Sequence, residues 1–340
     1  MQTQHVLRPL LPPATSSRTL AAAAATLLVA ACGSDPSVDD ARWEPAFDTS
    51  ATGTLSAVWG SGPDDVYIVG GTNEQGEIYH YDGVDWSPMQ VPDDVPMLIW
   101  VYGFGPDEVY AVGLDGSAVR WDGAEWHMLD TGTDEDLWGV FGFTPDDMWI
   151  VGGDVDTESP VILHYDGERF EDYELPAEQN PRRASSIFKV WGIDGFIAAV
   201  GERGLILELR DGEWESVSTD TSDAFVSLWG TSADHIVATG SNTSGQVAYY
   251  DGDSWEVRSF PAESGLNGVF MDDPSFAVVS GWDGFLGRYE IESGELIYEA
   301  ETEQLLRMHS AWGDGVGRYY AVGGNFFSPH RGEAYVRITE

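Results

Sequence analysis

The stretch AVWGSGPDDVYIVGG, Ala57–Gly71, holds two apolar runs around a Pro-Asp-Asp group and ends in paired glycines. Proline presets φ and aspartate bonds nearby amides, so Pro63-Asp64-Asp65 reads as a turn and the runs on either side as strands. A near-copy, WVYGFGPDEVYAVG, begins at Trp100. A chain that repeats a strand-turn-strand unit is building an array, and the spacing of the copies decides which one.

The aromatic-Gly pair marks the copies: Trp59-Gly60, Tyr102-Gly103, Phe141-Gly142, Trp191-Gly192, Trp229-Gly230 and Trp312-Gly313, with Phe270-Met271 as a degenerate member. The second positions lie 43, 39, 50, 38, 41 and 42 residues apart. That period, with four short strands per unit, predicts the blades of a β-propeller. Nine or ten residues after each pair comes Gly70, Gly113, Gly152, Gly201, Gly240, Ser280 or Gly323. An Asp-Gly group then precedes an aromatic in YDGVDW, WDGAEW, YDGERF, RDGEW and YDGDSW. Asp-Gly is a strong hairpin signal, since a type I′ turn needs positive φ at both central residues. The first blade is therefore expected as Thr54–Trp59, Val66–Gly70, Glu77–Tyr81 and Asp85–Met89.

Composition agrees. The 340 residues are 42% hydrophobic and 12% aromatic, with 40 glycines and 17 prolines, enough apolar material for a large core and many turns. The fold class expected is all-β. The seventh repeat ends after EAYVRI (Glu333–Ile338) without a fourth strand, while RWEPAF, Arg42–Phe47, precedes the first blade as an orphan. We expect seven blades over 41–340, the last, from 306–340, closed by residues 42–47. That arrangement removes exposed sheet edges.

Residues 1–31 read as a secretory signal peptide: Arg8 and Arg18 precede an 11-residue apolar run, Leu20–Ala30, too short to span a bilayer of about 30 Å. Val29, Ala30, Ala31 and the single cysteine, Cys32, match a lipobox, and here the chain resembles bacterial lipoprotein precursors. The resemblance implies cleavage before Cys32, lipidation of that residue, a tether over 32–40, and an anchored protein of the cell envelope, with Gly33 permitting outer-membrane sorting. The alternative is a plain signal peptide with an incidental cysteine.

VYIVGG followed by IYHYDGVDW also resembles kelch-type propellers, and the repeats are similar to WGS, DDVYAVG and HYDG-W propellers of exported bacterial proteins. The glycine pair is present only at 70–71, 152–153 and 323–324, and neither resemblance carries a specific activity. The repeated aromatics read as sheet-to-sheet core, each ring burying roughly 150–250 Å². His80 and His164, at matching positions, read as repeat-encoded strand residues.

The short Pro-Asp-Asp and Asp-Gly turns share one face of such a ring. The strand two-to-three and blade-to-blade connections share the other and are expected to differ from blade to blade, which makes that face the place for recognition. The loop residues singled out there are Trp282, Phe326, Phe327, His330, Arg331, Arg182 and Arg183, aromatic or cationic groups in acid-rich surroundings. They suit stacking on sugars or gripping a peptide; the alternative is that they pack against neighbouring loops. With the tether entering on the short-turn face, the variable face is expected to look away from the membrane.

The net charge is −42, and −44 once the two arginines of 1–31 are removed, which excludes nucleic acid as a partner. Lys189 is the single lysine beside 15 arginines and reads as compositional bias rather than a catalytic amine. Asp154, Asp156 and Glu158 are the nearest approach to a Ca²⁺ loop; a solvated acidic surface is the other reading, and no other cofactor is expected. The functional expectation is an envelope-anchored binding or scaffold module for a protein or polysaccharide partner. The runner-up is a carbohydrate hydrolase or lyase, using carboxylates or His330 on the same face.

Overall fold

The computed structural model describes residues 42–154, 159–193, 195–261 and 263–338. These form seven four-stranded antiparallel sheets. The chain is an all-β, seven-bladed β-propeller. The innermost strands are β2 (Thr54–Gly62), β6 (Leu98–Gly105), β10 (Leu137–Thr144), β14 (Ile187–Ile193), β18 (Phe225–Ser232), β22 (Leu266–Asp273) and β26 (Met308–Gly313). Each lies against the next, and β26 returns to β2. The first blade continues outward through β3 (Asp65–Gly71), β4 (Gly76–Tyr81) and β5 (Trp86–Pro88), within a few residues of the expected bounds.

The aromatic-Gly pair holds one blade to the next. A Cβ added at Gly103 would stand 2.6 Å from Cη2 of Trp59, and one at Gly60 2.7 Å from Cη2 of Trp312. Gly230 and Trp191, and Gly313 and Phe270, stand in the same relation, at 2.9 and 2.6 Å. With Gly192 and Phe141 at 3.1 Å, five of the aromatics thus seat on the glycine of the following blade, while at Gly142 that place is taken by Phe104 and Tyr102 instead donates its hydroxyl to the Gly142 carbonyl at 3.2 Å. The rings themselves form a chain, from Trp59 and Tyr102 (6.0 Å between centroids) through Phe141, Trp191 and Trp229 to Phe270 and Trp312 (6.3 Å). At the degenerate sixth repeat, the buried Met271 stands in for the glycine.

In the last blade β26 and β27 (Tyr319–Gly324) lead to β28 (Gly332–Ile338), against which β1 (Arg42–Pro45) pairs antiparallel with Arg42 opposite Ile338. Glu299 of the sixth blade clamps this seam. It accepts two bonds from Arg337, at 2.8 and 2.9 Å, and one from Nε1 of Trp43 at 3.0 Å. Phe47, beyond the strand, stacks on Trp86 of the first blade at 5.1 Å.

The Asp-Gly turns differ from expectation. At Gly83, Gly123, Gly167 and Gly252 only the glycine has positive φ; Asp211-Gly212 alone of the five has it at both residues. The reason lies in the aspartate. Oδ1 of Asp82 accepts from the amides of Val84 and Asp85, both at 2.9 Å, so the carboxylate closes an Asx turn and only the glycine needs the left-handed region. The paired positive φ appears on the other face, at Asp115-Gly116, Arg203-Gly204 and Asp283-Gly284. Three of the connections expected to vary from blade to blade are therefore built alike.

His80 and His164 sit within the strands as read. Their Nε2 atoms meet Oδ1 of Asp65 and Asp147 at 2.7 and 2.8 Å, and each ring lies 4.5 Å from an aromatic partner, Tyr67 or Trp149. The second blade fills the same position with Arg120, bound to Glu108 at 2.6 and 2.7 Å.

Candidate functional site

All seven innermost strands carry a β-bulge near the variable-face end. Pairing skips Ser56, Ile99, Trp138, Phe188, Val226, Asn267 and His309. A bulge leaves its extra residue out of the ladder and re-aims the side chain. Each of these lies three positions before the aromatic of its aromatic-Gly pair, and all seven line one cavity of about 300 Å³. A ring-forming repeat has thus placed one freely chosen side chain per blade at the mouth of the central channel.

The following position is small in five blades, namely Ala57, Gly139, Ser227, Gly268 and Ser310, but Trp100 in the second and Lys189 in the fourth. These two meet. The Lys189 side chain reaches back past the third blade, where Nζ donates to the carbonyl of Trp138 at 3.0 Å and lies 3.2 Å from the centre of the Trp100 ring. It is 5% exposed. Among the described residues no carboxylate oxygen stands within 4 Å of it. Burial pushes its pKa well below the usual lysine range, because a desolvated ammonium loses hydration that one carbonyl and one ring do not replace.

The His309 ring packs tilted against Phe326, 4.2 Å between centroids, and donates from Nε2 to the carbonyl of Gly324 at 3.0 Å. Burial brings its pKa down to about 3, with Arg307 and Lys189 acting in the same direction, so it is neutral at physiological pH. The Arg307 guanidinium lies flat on Trp282, 3.5 Å from the ring centre, and forms no ion pair among the described residues. Glu202 also lines the cavity, but its carboxylate is engaged by the amide and hydroxyl of Ser185 at 3.0 and 2.7 Å. The hydroxyl of Ser56 lines the cavity with no hydrogen-bond partner among the described residues.

The residues singled out in the sequence divide into groups. Trp282, Phe326 and Phe327 come together around a second hollow that shares Arg307, His309 and Phe326 with the channel mouth. Phe327 is 80% exposed. His330 lies outside both linings, its Nδ1 3.4 Å from Oγ1 of Thr54. Arg331 is exposed and lies outside them as well. Arg182 bridges connections of the fourth blade, reaching Oγ1 of Thr219 at 3.0 Å and the carbonyl of Arg203 at 3.2 Å, and so serves loop packing. Arg183 is exposed beside it with φ of 52°. Asp154 is half-buried, Asp156, Glu158 and Cys32 lie outside the described residues, and no cluster able to hold a metal ion is present among those described.

Trp100, Trp138, Arg307 and His309 were not singled out, and Lys189 was read as compositional bias rather than as a catalytic amine. For Trp138 and His309 the signal lies three residues before the aromatic of the aromatic-Gly pair, where seven unlike side chains occur in an otherwise monotonous strand, and Trp100 and Lys189 are the two large side chains at the next position; Arg307 stands at neither.

No protein-family model and no curated protein sequence matches the chain. Solved propellers do resemble it. YCF48 bound to D1 peptide superposes with a TM-score of 0.66 at 15% identity, covering 89% of this chain and 98% of that one. The virginiamycin B lyase from Staphylococcus aureus gives 0.69 at 12% identity, covering 88% and 100%. The WD40 propeller of Doa1 gives 0.66 at 11%, covering 88% and 97%. At these identities the likeness is one of fold.

Proposed function

We propose that the chain is an exported, kelch-like propeller lipoprotein, anchored through Cys32 to the outer membrane, whose variable face binds a protein or glycan partner at the channel mouth. The observation that carries this reading is the cavity itself: aromatic walls and an Arg307 guanidinium without a carboxylate partner among the described residues, in a chain of net charge −42. Among so many acids a half-buried cation held on an indole without an ion-pair partner among the described residues selects a partner that offers its own carboxylate beside an apolar surface, a need that a peptide segment or an acidic glycan meets. A propeller of the same fold holds a peptide in the YCF48 structure, which favours a protein segment.

His330 and Arg331 lie outside the cavity, so the hydrolase or lyase reading draws no site from them. The test of the binding role is retention of an envelope component by the full chain and its loss with Arg307→Gln or Phe327→Ser. Equal retention by wild type and both variants contradicts it. For the anchor, Cys32→Ala should abolish incorporation of radiolabelled palmitate and release the protein from the membrane fraction.

A further inference from the structure

We propose that Lys189 is a nucleophilic amine that captures a small aldehyde or ketone in the channel cavity as an imine. Lysine occurs once in 340 residues, and that one side chain ends inside a cavity instead of on the solvated surface. A lysine kept for solubility would sit outside, and one kept for packing would be served by methionine of similar length, with no ammonium to desolvate. The structure instead keeps an amine, gives it a single carbonyl acceptor and an aromatic face, and places no carboxylate within 4 Å among the described residues. Such surroundings favour the uncharged amine, whose lone pair is the nucleophile. Of the other charged or titratable groups lining the cavity, Arg307 is itself a cation and His309 is neutral, while the Glu202 carboxylate, held by Ser185, forms no ion pair with Lys189 among the described residues.

The walls define the ligand. Trp138 and Phe188 provide flat aromatic surface beside the aliphatic Ile99, and a cavity of about 300 Å³ stands at the small end of the range for small-molecule sites. A compact carbonyl compound with an aromatic or planar body fits this chemistry. In the step itself the Nζ lone pair forms a C–N bond to the carbonyl carbon while the C=O π pair moves to oxygen. The carbinolamine then loses that oxygen as water together with both amine protons, leaving C=N, and hydrolysis reverses the capture.

This inference uses the same cavity as the binding role but does not depend on it. The test is reductive trapping. The full chain is incubated at pH 7 with benzaldehyde and cyanoborohydride, with Nα-acetyl-lysine amide as the reference amine, and adducts are located by peptide mass spectrometry. The expected result is a benzyl adduct on Lys189 formed about tenfold or more faster than on the reference amine, whose ordinary pKa near 10.4 leaves almost none of it uncharged. Chemical unfolding in urea should erase the preference, and Lys189→Arg should give no adduct at that position. Lys189 unlabelled, or labelled no faster than the reference, overturns the proposal, and because that rate is read on the wild type it needs no variant to fold. Partner retention without an adduct would leave the binding role standing and remove this inference; an adduct without a partner would do the reverse.

Discussion

The Nζ atom of Lys189 sits 3.2 Å from the centre of the Trp100 ring, joining the fourth blade to the second past the third. Burial lowers the pKa of this amine in the folded chain, while the unfolded lysine titrates near 10.4. Between those values the unfolded chain binds more protons, so the contribution of this group to stability falls as pH drops below about 10.4. Lys189→Met lacks the slope. Thermal denaturation of both proteins should show the variant gaining on wild type from pH 10 to pH 7; a difference independent of pH would contradict the assignment.

His309 carries the same sign in acid. Its folded pKa of about 3 lies below the ordinary value near 6.5, so the stability it permits is present above about 6.5 and is lost as pH falls toward 3. His309→Gln should therefore rise in stability relative to wild type between pH 6.5 and pH 4. Parallel curves for the two proteins in acid denaturation would show that the ring is not buried as described.

The blade-to-blade seat can be tested at Gly103. A methyl there meets Cη2 of Trp59 at 2.6 Å and the backbone oxygen of Glu108 at 2.8 Å. Replacing glycine by alanine in a strand should gain roughly 0.5–1 kcal/mol, but overpacking against backbone and a buried indole costs about 1–3 kcal/mol, so the net effect is destabilising. Gly105→Ala, with nothing within 4 Å, is the control and should be neutral or stabilising.

Glu299 is the test of the closing seam. Arg337 is 5% exposed, and Glu299→Gln would leave that guanidinium without its bidentate partner. Stripping one member from a buried pair costs about 3–5 kcal/mol. Denaturant unfolding should show a loss of that order, with faster proteolysis near Trp43. Replacement without effect would mean that the strand pairing alone carries the closure.

The ring was legible because its determinants are local and repeated. Trp59-Gly60 and its relatives occur at a fixed period since each aromatic must seat on the next blade, and Pro63-Asp64-Asp65 turns a chain the same way wherever it stands. Loop conformation was harder to read. Asp82 and Asp283 both precede glycine, yet the first closes a turn through its carboxylate and the second through its own positive φ, a difference set by which backbone amides lie within reach. The site was read half-way. Trp282, Phe326 and Phe327 were visible as odd residues in acidic loops and do gather at one hollow. His309 was not, because a bulge sends it inward from a strand that otherwise reads as core; Lys189 was not, because it follows the bulged Phe188 in such a strand and a single lysine in a chain with 15 arginines resembles an accident of composition.

The central claim, that the variable face is the working face, is tested most directly by site-specific photo-cross-linking. Phe327 and Val84 are comparably exposed, at 80% and 77%, but Phe327 borders the channel mouth while Val84 lies on an Asp-Gly turn of the opposite face. A photoreactive residue at each position, in the full chain carried in envelope membranes, should give a discrete partner adduct from Phe327 and none from Val84. Adducts from Val84 alone, or equally from both, would contradict the account.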